Sequence, residues 1–194
     1  MIAAVLFAVA GALFIVYPVL RPYSSEVGVE GAIAFGSNQW VIAHVAAMAA
    51  FACLAAACCF FARFKTTKVA AVLGTGLILP YYGAETFGLH AIGTAALQGD
   101  ATQLAQTADA LRYNPVALTL FACGWIALAV AGVALSRELW LHTSKLGAVL
   151  VGAGLLLYLP QFFGPSWMRI THGAVLGVGL LVVTVVLSRA RARE

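Results

Sequence analysis

Residues 76–93 read GLILPYYGAETFGLHAIG, an apolar run broken by Pro80 and several glycines that carries one carboxylate, Glu85, and one imidazole, His90. A carboxyl group this far inside an apolar segment costs free energy unless it is neutral, paired or hydrogen-bonded. Glu85 is therefore a candidate acid, base or ligand. Two more imidazoles, His44 and His172, also stand within apolar runs, whereas His142 lies in a basic stretch. Neutral imidazoles on separate helices are the donors a bundle uses for a haem iron or a divalent metal. No local ligand motif such as HExxH is present. A metal set would have to assemble from different helices as His44, Glu85 and His172, with His90 a further cofactor-ligand candidate.

Helical spacing sorts these groups. Tyr81 and Tyr82 precede Glu85 by four and three residues and so share its face. His90 follows by five residues, about 140° around an ideal helix. It faces elsewhere unless Pro80, Gly83 and Gly88 kink the segment. Arg169 precedes His172 by three residues on one face and is a cation that can keep Glu85 ionised. The expected site has Glu85 at its centre, His44 and His172 as co-ligands or proton partners, and Tyr81, Tyr82 and Arg169 around them.

Three functions follow from such a site. The first is haem b or a divalent metal held in a redox or membrane-enzyme role. The second is an enzyme acting on a lipid or isoprenoid, with Glu85 as general acid and an aromatic wall shielding a cationic intermediate. The third is a small transporter, or a ligand-sensing or accessory subunit, for which a broken helix with a buried acid is also suited. Six short helices suggest a homo-oligomer or a subunit of a larger membrane complex.

The elements that must position these residues are written in the composition. The 194 residues are 63% hydrophobic and 9% charged, against about a quarter charged in soluble domains. Mean hydropathy is +0.98. The pattern is an all-α polytopic membrane protein in a single transmembrane domain, with crossings expected at 2–20, 39–62, 69–93, 115–136, 146–163 and 167–188. Residues 2–20 lack a basic n-region and exceed the length of a signal-peptide core, so they read as a retained helix. The net charge of +4 is spread over short loops, which argues against nucleic acid as a partner. Cys53, Cys58, Cys59 and Cys123 lie in apolar runs without metal or redox spacing and read as buried structural thiols.

Residues 21–38 are polar and Gly-rich and read as a loop, after which Ser37 or Asn38 caps the next helix. Asp100 and Gln103 read as a capping box for a surface helix over about 101–112, with Leu104, Ala108 and Leu111 as its apolar stripe. Asn114-Pro115 opens the fourth crossing. Arg137, Glu138, His142 and Lys145 are assigned to a connector. Connectors 63–68 and 137–145 and the tail hold eight of the eleven Lys and Arg residues. The positive-inside rule then puts both termini in the cytoplasm and Glu85, His44 and His172 in the outer leaflet, roughly 8–10 Å above the midplane. Trp40 and Trp167 fall near the outer interface and Trp140 near the inner one. Residues 76–90 and 154–172 share an aliphatic run, a proline, an aromatic pair, a glycine and a histidine. Phe-Ala-Cys also recurs at 51–53 and 121–123, so a duplicated helix pair is expected.

Trp40-x-x-x-His44, Gly83-x-Glu85-x-Phe87, the Asp-bearing loop before Asn114-Pro115 and the basic connector before the fifth helix together carry a resemblance. On these features the chain resembles a loose group of small bacterial six-helix integral membrane proteins, mostly described as hypothetical or domain-of-unknown-function proteins. The likeness implies a six-helix architecture in the bacterial cytoplasmic (inner) membrane. It implies no activity.

Overall fold

The computed structural model describes residues 1–192, and every element in them is helical. In chain order these are α1 (Ile2–Leu20), α2 (Gly28–Phe35), α3 (Asn38–Phe61), α4 (Lys65–Gly83), a π-helical turn (Ala84–Gly88), and α5 (Leu89–Gln98). There follow α6 (Leu104–Arg112), α7 (Pro115–His142), α8 (Lys145–Leu156), a 3-10 turn (Pro160–Phe163) and α9 (Ser166–Arg191). Four of them, α1, α3, α7 and α9, are long and apolar enough to cross a membrane. The outward faces are apolar as well: Val5, Phe60, Leu73 and Ile126 are all more than half exposed. This is a helical bundle of membrane type. Arg193 and Glu194, the last residues of the basic tail, lie outside the described residues.

Local chemistry accounts for the helix starts. The Ser37 hydroxyl accepts the Trp40 N–H, Asn114 Oδ1 accepts the N–H groups of Val116 and Ala117, and Ser144 Oγ accepts that of Gly147. Each satisfies donors that an open N-terminus leaves unpaired. The expected Asp100–Gln103 capping box does not form. Asp100 instead accepts the N–H and hydroxyl of Thr102 in a local turn, and α6 begins three residues later than expected.

Other boundaries differ for tertiary reasons. The loop expected over 21–38 contains α2, because Ala32 and Phe35 bury themselves against Trp40, Leu89, Leu104 and Ala108. The expected connector at 137–145 shrinks to two residues, since α7 runs on to His142. Glu138 explains why: its carboxylate is buried and accepts the N–H groups of Arg63 (2.6 Å) and Phe64 (3.4 Å) and the Thr67 hydroxyl (2.6 Å). It caps α4 from a neighbouring helix. The fifth apolar run breaks after Leu156 and finishes as the 3-10 turn around Pro160.

Bundle packing rests on α1 against α3 and α9, and on α4 against α7. Two glycine pairs permit the closest crossings. A Cβ on Gly11 would lie 2.8 Å from the Gly177 carbonyl oxygen, and one on Gly177 would lie 2.5 Å from that of Gly11. Gly74 and Gly124 face each other in the same way across α4 and α7, each 3.0 Å from the other's carbonyl oxygen. Small residues at such crossings are the membrane solution to close helix approach. Gly83, by contrast, has open space around it.

The core has two parts. The larger is built around Phe14, Phe51, Ile78, Leu128, Leu135 and Leu176 between the long helices. The smaller joins α2, α6 and the ends of α3 and α5 through Phe35, Trp40, Leu89, Leu104 and Ala108. It caps one end of the bundle. Trp40 is therefore fully buried under this cap, whereas Trp167 and Trp140 are exposed as interfacial residues would be. The four cysteines are free thiols, but Cys59 and Cys123 lie on the outside of the bundle rather than inside it.

Candidate functional site

Glu85 sits in the π-helical turn that joins α4 to α5. There the Leu89 N–H donates to the Ala84 carbonyl five residues back. Trp40 Nε1 donates to the Glu85 carbonyl at 2.7 Å, securing the turn from the neighbouring helix. The widened turn costs helix geometry and is held by a tertiary contact, an arrangement frequent at functional positions. Pro80 stands inside α4 one turn earlier without ending it.

The Glu85 side chain is clamped by a guanidinium, but not the one expected. Arg112 Nε donates to Oε1 at 2.6 Å, and a terminal nitrogen of Arg112 donates to Oε2 at 3.1 Å. The other terminal nitrogen of Arg112 donates to Glu26 at 2.7 Å, and Arg21 donates to the second oxygen of Glu26 at 2.6 Å. The result is a four-member chain of alternating charge, Arg21–Glu26–Arg112–Glu85. The bidentate end is the strong form of such a pair. Burial alone would push the Glu26 carboxyl up, but Arg21 and Arg112 hold it below the ordinary glutamate range. Arg112 loses solvation yet is raised above the ordinary arginine value by Glu85 and Glu26.

Each member is held by the end cap. Arg112 closes α6, whose apolar stripe of Leu104, Ala108 and Leu111 docks on Phe35 and Trp40. The Arg112 guanidinium carbon lies 5.3 Å from the centroid of the Phe35 ring, and that of Arg21 lies 4.8 Å from Trp40. Leu111 also fills the notch at Gly88. The second core thus positions the charge chain.

Beside this chain opens a cavity of about 580 Å³. Much of the rest of its lining is aromatic, with Tyr81, one turn before Glu85, stacked on Phe121 at 4.1 Å, and with Phe162. Tyr82 and Tyr17 form the deep end, and Arg169 borders it on the side of α9. Of the sequence-expected site, Glu85, His44, Tyr81, Tyr82 and Arg169 line this one cavity. Tyr81 and Tyr82 thus line the same cavity as Glu85.

The imidazoles divide. His44 Nδ1 lies 2.7 Å from the Trp40 carbonyl, an acceptor only, so Nδ1 carries the proton and Nε2 keeps a bare lone pair. His172 Nε2 is 2.7 Å from the Gly154 carbonyl and lines separate clefts, with Tyr17 standing between it and His44. His90 Nδ1 donates to the Phe35 carbonyl at 3.0 Å and faces the end cap, as its angular offset from Glu85 suggests. Arg169, expected beside Glu85, donates to the Phe162 carbonyl instead. His44, Glu85 and His172 do not converge. Among the described residues no group of three His, Cys, Asp or Glu side chains is placed to hold a metal ion.

Arg112, Glu26 and Arg21 were the residues that spacing did not reveal. Arg112 reads in sequence as one more loop cation. The available signal was that it ends an amphipathic helix on the same side of the chain as the unpaired acids Glu26 and Glu85. Compared with known proteins, the sequence matches no family model, and no curated protein or solved structure shows a significant similarity to it.

Proposed function

We propose that this chain is a six-crossing integral membrane protein, with both termini cytoplasmic, whose outer-leaflet cavity binds an amphiphilic small molecule of the lipid or isoprenoid class. The observation that carries this reading is one cavity of about 580 Å³ lined by two unlike sets of side chains: the aromatic rings of Tyr81, Phe121 and Phe162 and the charged Arg21–Glu26–Arg112–Glu85 chain. A ligand pocket of this size is apolar over most of its lining with a few convergent polar groups. An amphiphile with an apolar chain and a polar head matches both sets at once.

Six crossings require α4–α5 and α8 with its 3-10 turn to span alongside the four long helices, and the basic residues favour the side bearing residues 63–68 and 143–145 as cytoplasmic. The resemblance favours a bacterial inner membrane. Binding is preferred to haem or metal chemistry because the imidazoles point to separate backbone carbonyls. It is preferred to general acid catalysis because both Glu85 oxygens are engaged by Arg112.

Two experiments test the reading. A membrane-impermeant thiol reagent on intact cells should label Ser25→Cys but label Thr143→Cys only after permeabilisation; the reverse pattern would overturn the topology. A photoreactive alkyl probe in native membranes should label Tyr81, Phe121 or Phe162. Labelling confined to outward residues such as Ile126 would overturn the cavity assignment.

A further inference from the structure

The cavity holds more hydrogen-bond donors and positive charge than its own residues neutralise. Its lining contains three guanidiniums, Arg21, Arg112 and Arg169, against two carboxylates, Glu26 and Glu85. Both carboxylates are consumed within the four-member chain. Arg169 has no carboxylate partner among the described residues, and its Nε is buried without any acceptor. The Tyr23 hydroxyl is likewise buried and unpartnered, and the Arg169 guanidinium carbon lies 6.0 Å from the centroid of the Tyr23 ring. A second unpartnered hydroxyl, that of buried Tyr82, belongs to a residue that lines the cavity. Arg169 and Tyr82 line this cavity, and Tyr23 lines the small adjoining cleft that shares Tyr17 and Arg169 with it. Buried polar groups are nearly always satisfied, so this unsatisfied set around Arg169 calls for an acceptor from outside the chain.

We infer that Arg169, which lines both this cavity and the adjoining cleft that holds Tyr23, is the anchor for an anionic, oxygen-rich head group, phosphate or carboxylate, on the ligand of this cavity. The inference rests on the cavity being a binding site and adds the class of molecule that it selects. A planar guanidinium is the side chain suited to two-point recognition of such oxyanions. Arg169 stands at the fourth position of α9 and lines the cavity from that helix. Phe121 and Phe162 then provide the apolar surface for the chain that follows the head. His44 Nε2, with its bare lone pair, is an acceptor that can take a hydroxyl or protonated oxygen of the ligand.

The same head-group chemistry belongs to a lipid and to a free anion, and the test separates them. Binding to the purified full-length protein in neutral detergent is measured for dodecyl phosphate, a neutral dodecyl glycol of equal chain length, and inorganic phosphate as competitor. Dodecyl phosphate should bind at least about tenfold more tightly than the neutral analogue, a difference of about 1.4 kcal/mol. In Arg169→Gln the ratio should collapse toward one, while Arg169→Lys should keep part of it. Circular dichroism and the thermal transition of each variant establish that it is folded. Competition by inorganic phosphate identifies a free anion as the ligand; lack of competition with tight dodecyl phosphate binding identifies a lipid head. Equal binding of the charged and neutral amphiphiles, with a ratio unaltered in Arg169→Gln, would overturn the head-group inference and leave the cavity assignment standing. Binding of none of the three probes would overturn both.

Discussion

The contact that most constrains the site is the bidentate pair between Arg112 and Glu85, and a double-mutant cycle on it has a definite expected outcome. Both side chains are mostly shielded, with relative exposures of 17% and 13%. Unit charges about 4 Å apart gain about 4 kcal/mol at an effective dielectric near 20, and loss of hydration offsets a large part of that. Arg112→Gln removes the cation from two carboxylates at once and leaves Glu26 and Glu85 on opposite sides of a vacated position. It should cost about 3–5 kcal/mol. Glu85→Gln leaves Arg112 its bond to Glu26 and should cost less, about 1.5–3 kcal/mol. The double variant should be less damaged than the sum of the singles by about 2 kcal/mol, a coupling expected of residues that share one network. Reversible unfolding in mixed micelles with increasing dodecyl sulfate, followed by circular dichroism, gives all four free energies. Additivity within about 0.5 kcal/mol would refute the ion-pair chain as the organising contact of this end of the bundle.

Three further outcomes are expected. Trp40→Phe keeps the ring against Phe35 but removes the donor to the Glu85 carbonyl; it should cost about 1–2 kcal/mol and raise amide exchange across residues 84–88 selectively. Uniform exchange changes along α4 would show that Trp40 does not secure the π-helical turn. Glu138→Ala strips three donors at the start of α4 of their acceptor and should destabilise the protein by about 2 kcal/mol or more, whereas a loss below about 0.5 kcal/mol would contradict the cap. Because Arg21 and Arg112 depress the Glu26 carboxyl, its contribution to stability is fully present above the ordinary glutamate range near pH 4.3 and is lost as pH falls through the lower folded value. Melting temperature measured against pH should therefore drop less steeply below that range in Glu26→Gln than in the unaltered chain, and parallel curves would speak against it.

Much of the fold is written in the sequence because the membrane imposes few solutions. Long apolar runs, Ser37, Asn114 and the basic connectors mark helices and their starts without reference to any tertiary contact. The places where spacing misleads are those where a distant group decides. α2 lies in a stretch whose composition resembles a loop, and only burial of Phe35 against Trp40 makes it a helix. Glu138 looks like a connector charge until Arg63, Phe64 and Thr67 are seen to donate to it. The site follows the same rule. Tyr81, Tyr82 and Glu85, which the 3.6-residue period groups, line one cavity, and His90 meets the Phe35 carbonyl. Equal depth in the membrane, used to group His44 with His172, carries no information about azimuth, and Tyr17 stands between them. The cation for Glu85 came from a surface helix 27 residues away in sequence, where no periodic argument reaches.

The central claim is that the cavity lined by the aromatic rings and the charge chain holds an anionic amphiphile. Native mass spectrometry of the protein released from its own membranes tests it most directly, with Ala122→Trp, which fills the lining beside Phe121, as the comparison. A stoichiometric adduct of a single amphiphile class bearing phosphate or carboxylate is expected, retained through delipidation and lost in Ala122→Trp. A protein that emerges free of adducts, or one whose adduct persists unchanged in Ala122→Trp, would contradict it.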